Sequence, residues 1–148
     1  MKKIRKIIIG THNRGKYKEI ANLLPIRIKK YSPNYFKIKS PKENGKSYKE
    51  NSYLKAKFFS QKTGLTSISD DSGLEIKKLN YKPGIFSARW AGQSRNFDLG
   101  IKKIFEKMKK INKNWASTPA AFICSLTIYY SDNKYITKVG KINGKISI

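Results

Sequence analysis

Ser69-Asp70-Asp71-Ser72-Gly73-Leu74-Glu75-Ile76 lies mid-chain and sets two aspartates side by side in a protein that has only nine acidic residues among its 148. The run before it, residues 65–69, reads as a short buried strand, and residues 74–79 read as a second. Asp71-Ser72-Gly73 is then a strand-to-strand turn, in which glycine supplies a positive φ and the Asp and Ser side chains bond local backbone. An ordinary turn would account for an isolated D-D-S-G. Three features point to one wall of a site instead. Adjacent carboxylates repel and so suit a cation. A Pro83-Gly84 turn follows shortly, and Ser87-Ala88-Arg89 then sets a polar cluster between apolar residues.

A chain of this length suits one domain with one core. A hydrophobic content of 39%, with seven Phe, nine Tyr and two Trp, is enough to build it. There is no run of 18 apolar residues, and residues 1–3 lead directly into a strand-like segment, so neither a membrane span nor a signal peptide is expected. The single cysteine, Cys124, lies in the apolar run 120–130 and reads as core. A cytoplasmic address fits this cysteine usage. The net charge of +24 calls for a polyanionic partner to be considered. The lysines are scattered along the chain, however, without an RNP, helix-turn-helix or zinc-finger pattern. A dedicated nucleic-acid-binding module is therefore the weaker alternative.

Outward from the central stretch, residues 4–10 (I-R-K-I-I-I-G) have the β-branched character of a buried strand. Thr11-His12-Asn13-Arg14-Gly15 is a polar loop. From Lys16 the apolar residues Tyr17, Ile20, Ala21 and Leu24 follow helical spacing up to Pro25. A strand, a Gly-bearing loop and a helix N-terminus make an anion site, because free N–H groups and the helix dipole face the ligand. Residues 10–16 also fit G-x-x-x-x-G-K, but Tyr17 stands where a P-loop needs Ser or Thr to hold Mg²⁺, so this is not a standard P-loop. Phosphate binding by Lys16 and its loop remains physically sound.

Residues 26–31 and 35–38 read as strands. Ser47-Tyr48-Lys49-Glu50 is a capping box that opens a helix carrying Leu54, Ala56, Phe58 and Phe59 as far as Gly64. Glu50 thus has a capping role, whereas Glu43, in a Gly-containing loop, is either solvated or a ligand. Residues 96–111 form a helix with Ile101, Ile104, Phe105, Met108 and Ile111 as a core stripe, and residues 114–119 a loop. Residues 120–130 and 135–139 form a hairpin, and residues 140–148 a further extended segment. His12, the only histidine, would have to serve any Ser-His-Asp triad, and a His-rich zinc site is excluded.

Two motifs together carry a family resemblance. Residues 11–19, T-H-N-R-G-K-Y-K-E, resemble the T-x-N-x-x-K-x-x-E opening of the inosine triphosphate pyrophosphatase (non-canonical purine NTP pyrophosphatase, Ham1-like) family. Residues 69–74, S-D-D-S-G-L, with Pro83-Gly84 and residues 87–92, S-A-R-W-A-G, resemble its D-D-S-G-L…P-G…S-A-R-[YW]-[SA]-G block. Glu50-Asn51 and Lys55-Ala56 match the E-N-x-x-x-K-A of the intervening helix. The likeness runs from about Ile7 to Gly144.

The resemblance implies a single two-lobed α/β ITPase-like domain with a long central mixed sheet flanked by helices. It implies Mg²⁺-dependent hydrolysis of dITP/ITP and XTP to the monophosphate and pyrophosphate, by a homodimer. Carried over by position, Thr11, His12, Asn13, Arg14, Gly15 and Lys16 hold the triphosphate, with Lys16 as its charged contact. Glu43 and Asp71 bind the metal, Asp71 is also the general base, and Ser72 touches substrate. The family's base-gripping G-F-G-Y-D-P and S-H-R motifs do not occur in these 148 residues. Weak base selection, or a binding-only remnant without turnover, is the corresponding expectation.

Overall fold

In the computed structural model, residues 4–92, 96–111 and 115–147 are described. The readings of residues 1–3, Asn114 and Ile148 fall outside them. In chain order the elements are β1 (Lys6–Ile9), α1 (Arg14–Leu23), β2 (Lys29–Tyr31), α2 (Tyr48–Thr63), β3 (Thr66–Ile76), β4 (Lys82–Pro83), α3 (Ser87–Trp90), α4 (Phe97–Ile111), β5 (Pro119–Tyr129) and β6 (Tyr135–Lys145). The sheet order is β2-β1-β3-β5-β6, with β4 also on β3. β1 runs parallel to both β2 and β3, and β4 runs antiparallel to β3, so the α/β sheet is mixed as expected. No helix among the described residues is long and apolar enough to cross a membrane.

The chain forms two compact units. One holds the chain up to Asp71 together with Ser125–Lys138; the other holds Ser72–Cys124 and the segment from Val139 on. In the first, Ile7 and Ile9 of β1 and Ile68 of β3 share one face of the sheet and pack against Ile20 of α1, with Tyr17, Ala21 and Leu24 around them. Side chains two apart on a strand point the same way, which is why the isoleucines separate by parity. Each such buried side chain contributes about 1.5–3 kcal/mol. In the second unit, Ile76, Leu79, Ile104 and Met108 form the core, flanked by Trp90 and Trp115.

Gly64 closes α2 in the left-handed region at φ 70°, as read. α1 begins at Arg14, two residues before the expected start at Lys16, and Asn13, read as part of a polar loop, caps it through its side chain. The capping box of α2 is formed with one change. Ser47 Oγ accepts from Glu50 N–H at 3.2 Å, while Glu50 reaches past the cap and accepts from Lys46 N–H at 2.6 Å.

The decisive stretch departs from expectation. Residues 66–76 form one uninterrupted strand of 11 residues, with no turn at Asp71-Ser72-Gly73. Gly73 is not among the described glycines at positive φ, which are Gly64, Gly84 and Gly92, so it serves the strand as an extended, buried residue. β6 likewise runs unbroken through residues read as a short strand and a separate segment. Residues 33–36 form a 3-10 turn rather than a strand, since Pro33 sits at its first position, where its fixed φ and missing N–H are tolerated. In α4 only Ile104 and Met108 of the apolar stripe are buried. Ile101 and Ile111 are 47% and 55% exposed, because a 15-residue helix laid on one core cannot hide every apolar position.

Candidate active site

The site is built on the last residues of β3 in the first unit. Successive strand residues face opposite sides of a sheet, and here both sides are covered by helices, so both aspartates are buried: Asp70 is 3% and Asp71 5% exposed. Asp70 has the parity of Ile68 and looks toward α1, where Lys16 Nζ lies 2.6 Å from its Oδ2. Asp71 has the parity of Ser69 and looks toward α2, where Asn51 Nδ2 donates to its Oδ2 at 3.0 Å. The expectation that the two neighbouring carboxylates share one cation is therefore corrected. The sheet separates them, and each has its own partner.

The loop after β1 passes over the β3 end at close quarters. A Cβ on Gly10 would stand 2.1 Å from Ser69 Oγ and 2.4 Å from the Phe59 ring, so only glycine fits there. Thr11 Oγ1 accepts from Asn13 N–H at 3.2 Å, and Asn13 Oδ1 accepts from Gly15 and Lys16 N–H at 2.9 and 3.2 Å. Two of the amides expected to be free for an anion are thus already satisfied by the cap. What the loop presents is a held shape with the Lys16 ammonium, half-buried, beside it. His12 fastens this loop to the next one: its Nε2–H donates to Ile38 O at 3.0 Å, which leaves Nδ1 to accept from Ser40 Oγ at 2.7 Å. Arg14 is the exposed first residue of α1.

Glu43 is held rather than solvated. Its Oε1 lies 2.8 Å from Lys55 Nζ, and Lys55 is itself 8% exposed on α2. Burial raises the Asp71 carboxyl from 3.8 to about 6, opposed by the Asn51 hydrogen bond and the Lys55 charge and assisted by the charge of Glu43. Glu43 and Asp71 therefore feel one another electrostatically. Among the described residues there is no group of three or more His, Cys, Asp or Glu side chains that could cage a metal ion. Two carboxylates are nevertheless the donor set of a Mg²⁺-type site, which keeps several waters and completes its shell with substrate phosphates. Ser72 follows Asp71 on β3 and is half-buried.

Of the residues named from the sequence, Lys16 and Glu43 are partly buried in ion pairs, and Asp71 is buried against the Asn51 amide. Sequence reasoning passed over Asn51 and Lys55 as site residues, and it set Asp70 beside Asp71 on one wall of a site without a separate role. The signal for the first two was present. Asn51, Lys55 and Phe59 are four apart on α2, so one helical stripe meant for the interior carries an amide and an ammonium at its start.

Residues 7–148 match the Ham1 family. A dITP/XTP pyrophosphatase of Zymomonas mobilis is 34% identical over 142 residues, covering 95% of this chain and 68% of that protein. One of Bartonella quintana is 40% identical over 133 residues, covering 86% of this chain and 62% of its own length. Among solved structures, a HAM1 protein from Coxiella burnetii superposes with a TM-score of 0.83 at 29% identity, over 97% of this chain and 73% of the other. The Staphylococcus aureus Ham1 protein gives 0.81 at 29% identity, over 96% and 72%.

Proposed function

The chain belongs to the Ham1 family, and from that membership we propose that it is a nucleoside triphosphate pyrophosphatase that hydrolyses dITP/ITP and XTP to monophosphate and pyrophosphate. The observation that carries this is Asp71. It is a buried carboxylate held by an amide, raised to about 6, and beside a second carboxylate already matched to a lysine. A group of that pKa is ionised at neutral pH yet basic enough to take a proton from water as it attacks.

Release of pyrophosphate means that water attacks the α-phosphorus while the bond to the β-phosphate oxygen breaks in line with it. Asp71 takes the proton of that water. Lys16, in the first turn of α1, holds the negative charge of the triphosphate together with Thr11, His12, Asn13, Arg14 and Gly15, and Ser72 is a further substrate contact. Glu43 and Asp71 would hold Mg²⁺, which when bound supplies neutralisation of the phosphoanhydride charge. Lys55 keeps Glu43 in place. A homodimer and a cytoplasmic setting complete the proposal and rest on the family resemblance and the cysteine usage alone.

The test is pyrophosphate release from dITP, XTP and ATP with Mg²⁺, with the Asp71→Asn variant alongside. Turnover in the wild type that drops at least 100-fold in the variant is expected. Equal turnover in the two removes Asp71 from the chemistry. A folded wild type without turnover overturns the enzyme assignment.

A further inference from the structure

The amide of Asn51 is buried in the first unit. It is 2% exposed, near the start of α2, on the stripe that ends in Phe59. A primary amide has a carbonyl oxygen and two N–H donors to satisfy, and burying it costs free energy unless they are used. Here both ends are used. Gly45 N–H donates to Asn51 Oδ1 at 2.8 Å, and Asn51 Nδ2 donates to Asp71 Oδ2 at 3.0 Å. A backbone N–H can only donate, so the amide oxygen must face Gly45 and its nitrogen must face Asp71. The opposite orientation would set donor against donor and oxygen against carboxylate.

We infer that Asn51 is the positioning residue of the two-carboxylate site, holding Asp71 and the Glu43 loop in fixed register through the two ends of one side chain. α2 grips that loop at three points, the first being Glu50, which accepts from Lys46 N–H at 2.6 Å. Asn51 takes the Gly45 amide, and one turn later Lys55 takes the Glu43 carboxylate at 2.8 Å. The approach is close enough to require glycine: a Cβ at Gly45 would lie 2.6 Å from Asn51 Oδ1 and 3.0 Å from the Asn51 backbone nitrogen. The same amide reaches β3 at Asp71. Asn51 touches neither substrate nor ion; it acts through the two groups that would. The inference uses the metal assignment made under Proposed function, and its first readout needs no turnover.

Three variants test it, each compared as folded protein by its melt. Asn51→Asp keeps the acceptor for Gly45 but sets an oxygen against Asp71. Asn51→Ala removes both bonds. Gly45→Ala presses on the amide from the loop side and leaves Asn51 in place. Binding of Mn²⁺ to the nucleotide-free protein, followed by electron paramagnetic resonance, is expected to weaken 10–100-fold in Asn51→Ala. Weakening in the same direction is expected in Gly45→Ala. In steady-state assays with dITP, kcat is expected to fall by a similar factor with KM changed less than about threefold, because Lys16 and its loop are untouched. A folded Asn51→Ala that binds Mn²⁺ like the wild type overturns the inference. So does a variant set that loses kcat and raises KM together at unchanged Mn²⁺ affinity, since that is the mark of a general packing role. A wild type that binds Mn²⁺ but releases no pyrophosphate overturns the proposed activity while the affinity comparison still decides Asn51. A wild type that binds no Mn²⁺ overturns the metal assignment and this inference with it.

Discussion

Lys16 Nζ and Asp70 Oδ2 stand 2.6 Å apart across α1 and β3, and that pair turns the charged side chain of the first turn of α1 inward, onto the sheet. Asp70 is nearly sealed from solvent while Lys16 is about one-third exposed, with side-chain exposures of 5% and 32%. The pair is therefore of intermediate worth, more than a surface bridge and less than a fully buried one. It also leaves Lys16 placed to add a phosphate oxygen to its remaining donors.

Lys16→Met is expected to lower stability by about 2 kcal/mol, because Asp70 then keeps its burial without this cation. Adding Asp70→Asn to it should return part of the loss, whereas KM for dITP should stay raised in both proteins. Urea melts and steady-state kinetics on the single and double variants check this. A single variant as stable as the wild type would show that the pair contributes nothing.

For Asp71→Asn the expected change in stability is upward. The wild-type carboxylate is kept charged at neutral pH against the cost of burial, and a neutral amide of the same shape escapes that cost. The gain is on the order of 2 kcal/mol at pH 7, after allowance for solvent screening. A thermal melt that falls in the variant would mean that the contact with Asn51 outweighs desolvation.

The same shift sets a pH dependence whose sign follows from proton linkage. Between 3.8 and about 6 the folded protein holds a proton on Asp71 that the unfolded chain has released. Asp71 therefore destabilises the fold fully above about pH 6, and this penalty vanishes as pH falls toward 3.8. The stability difference between Asp71→Asn and the wild type should be largest at pH 7 and should shrink steadily down to pH 4. A difference independent of pH would contradict the raised carboxyl. Mg²⁺ should displace the proton, so binding in the acidic range should release protons to the medium, measurable by calorimetry in two buffers.

Ser52 of α2 anchors a buried hydroxyl cluster with a fixed direction. Its Oγ–H donates to Lys49 O at 3.1 Å, so the hydroxyls of Ser125 and Thr127, each at 2.9 Å, must donate to it, and Thr137, at 2.7 Å, must donate to Thr127. Ser52→Ala therefore strands two buried donors at once and is expected to cost about 2–3 kcal/mol, more than an ordinary serine truncation. Adding Thr127→Val should recover part of it. A cost below about 0.5 kcal/mol in urea melts would show that the cluster is not a coupled unit.

The sequence by itself determined the local elements whose causes are local. Ser47 and Gly64 mark helix ends because capping depends on residues within one turn of each other, and the β-branched run of residues 4–10 marks a buried strand. It also singled out Glu43 and Asp71, since few other carboxylates exist in so basic a chain, and Lys16, since its motif stands in family order with theirs. Only the tertiary structure decided that Asp71-Ser72-Gly73 continues a strand. D-D-S-G has turn chemistry, but pairing of β3 with its neighbours in the sheet supplies backbone partners that the turn would otherwise have had to supply. From that follows the division of the two aspartates between α1 and α2, which the one-dimensional adjacency of their names conceals. The partners Asn51 and Lys16 lie 20 and 54 residues from them, and contacts of that span come from packing helices on both sides of one strand, which no local pattern encodes.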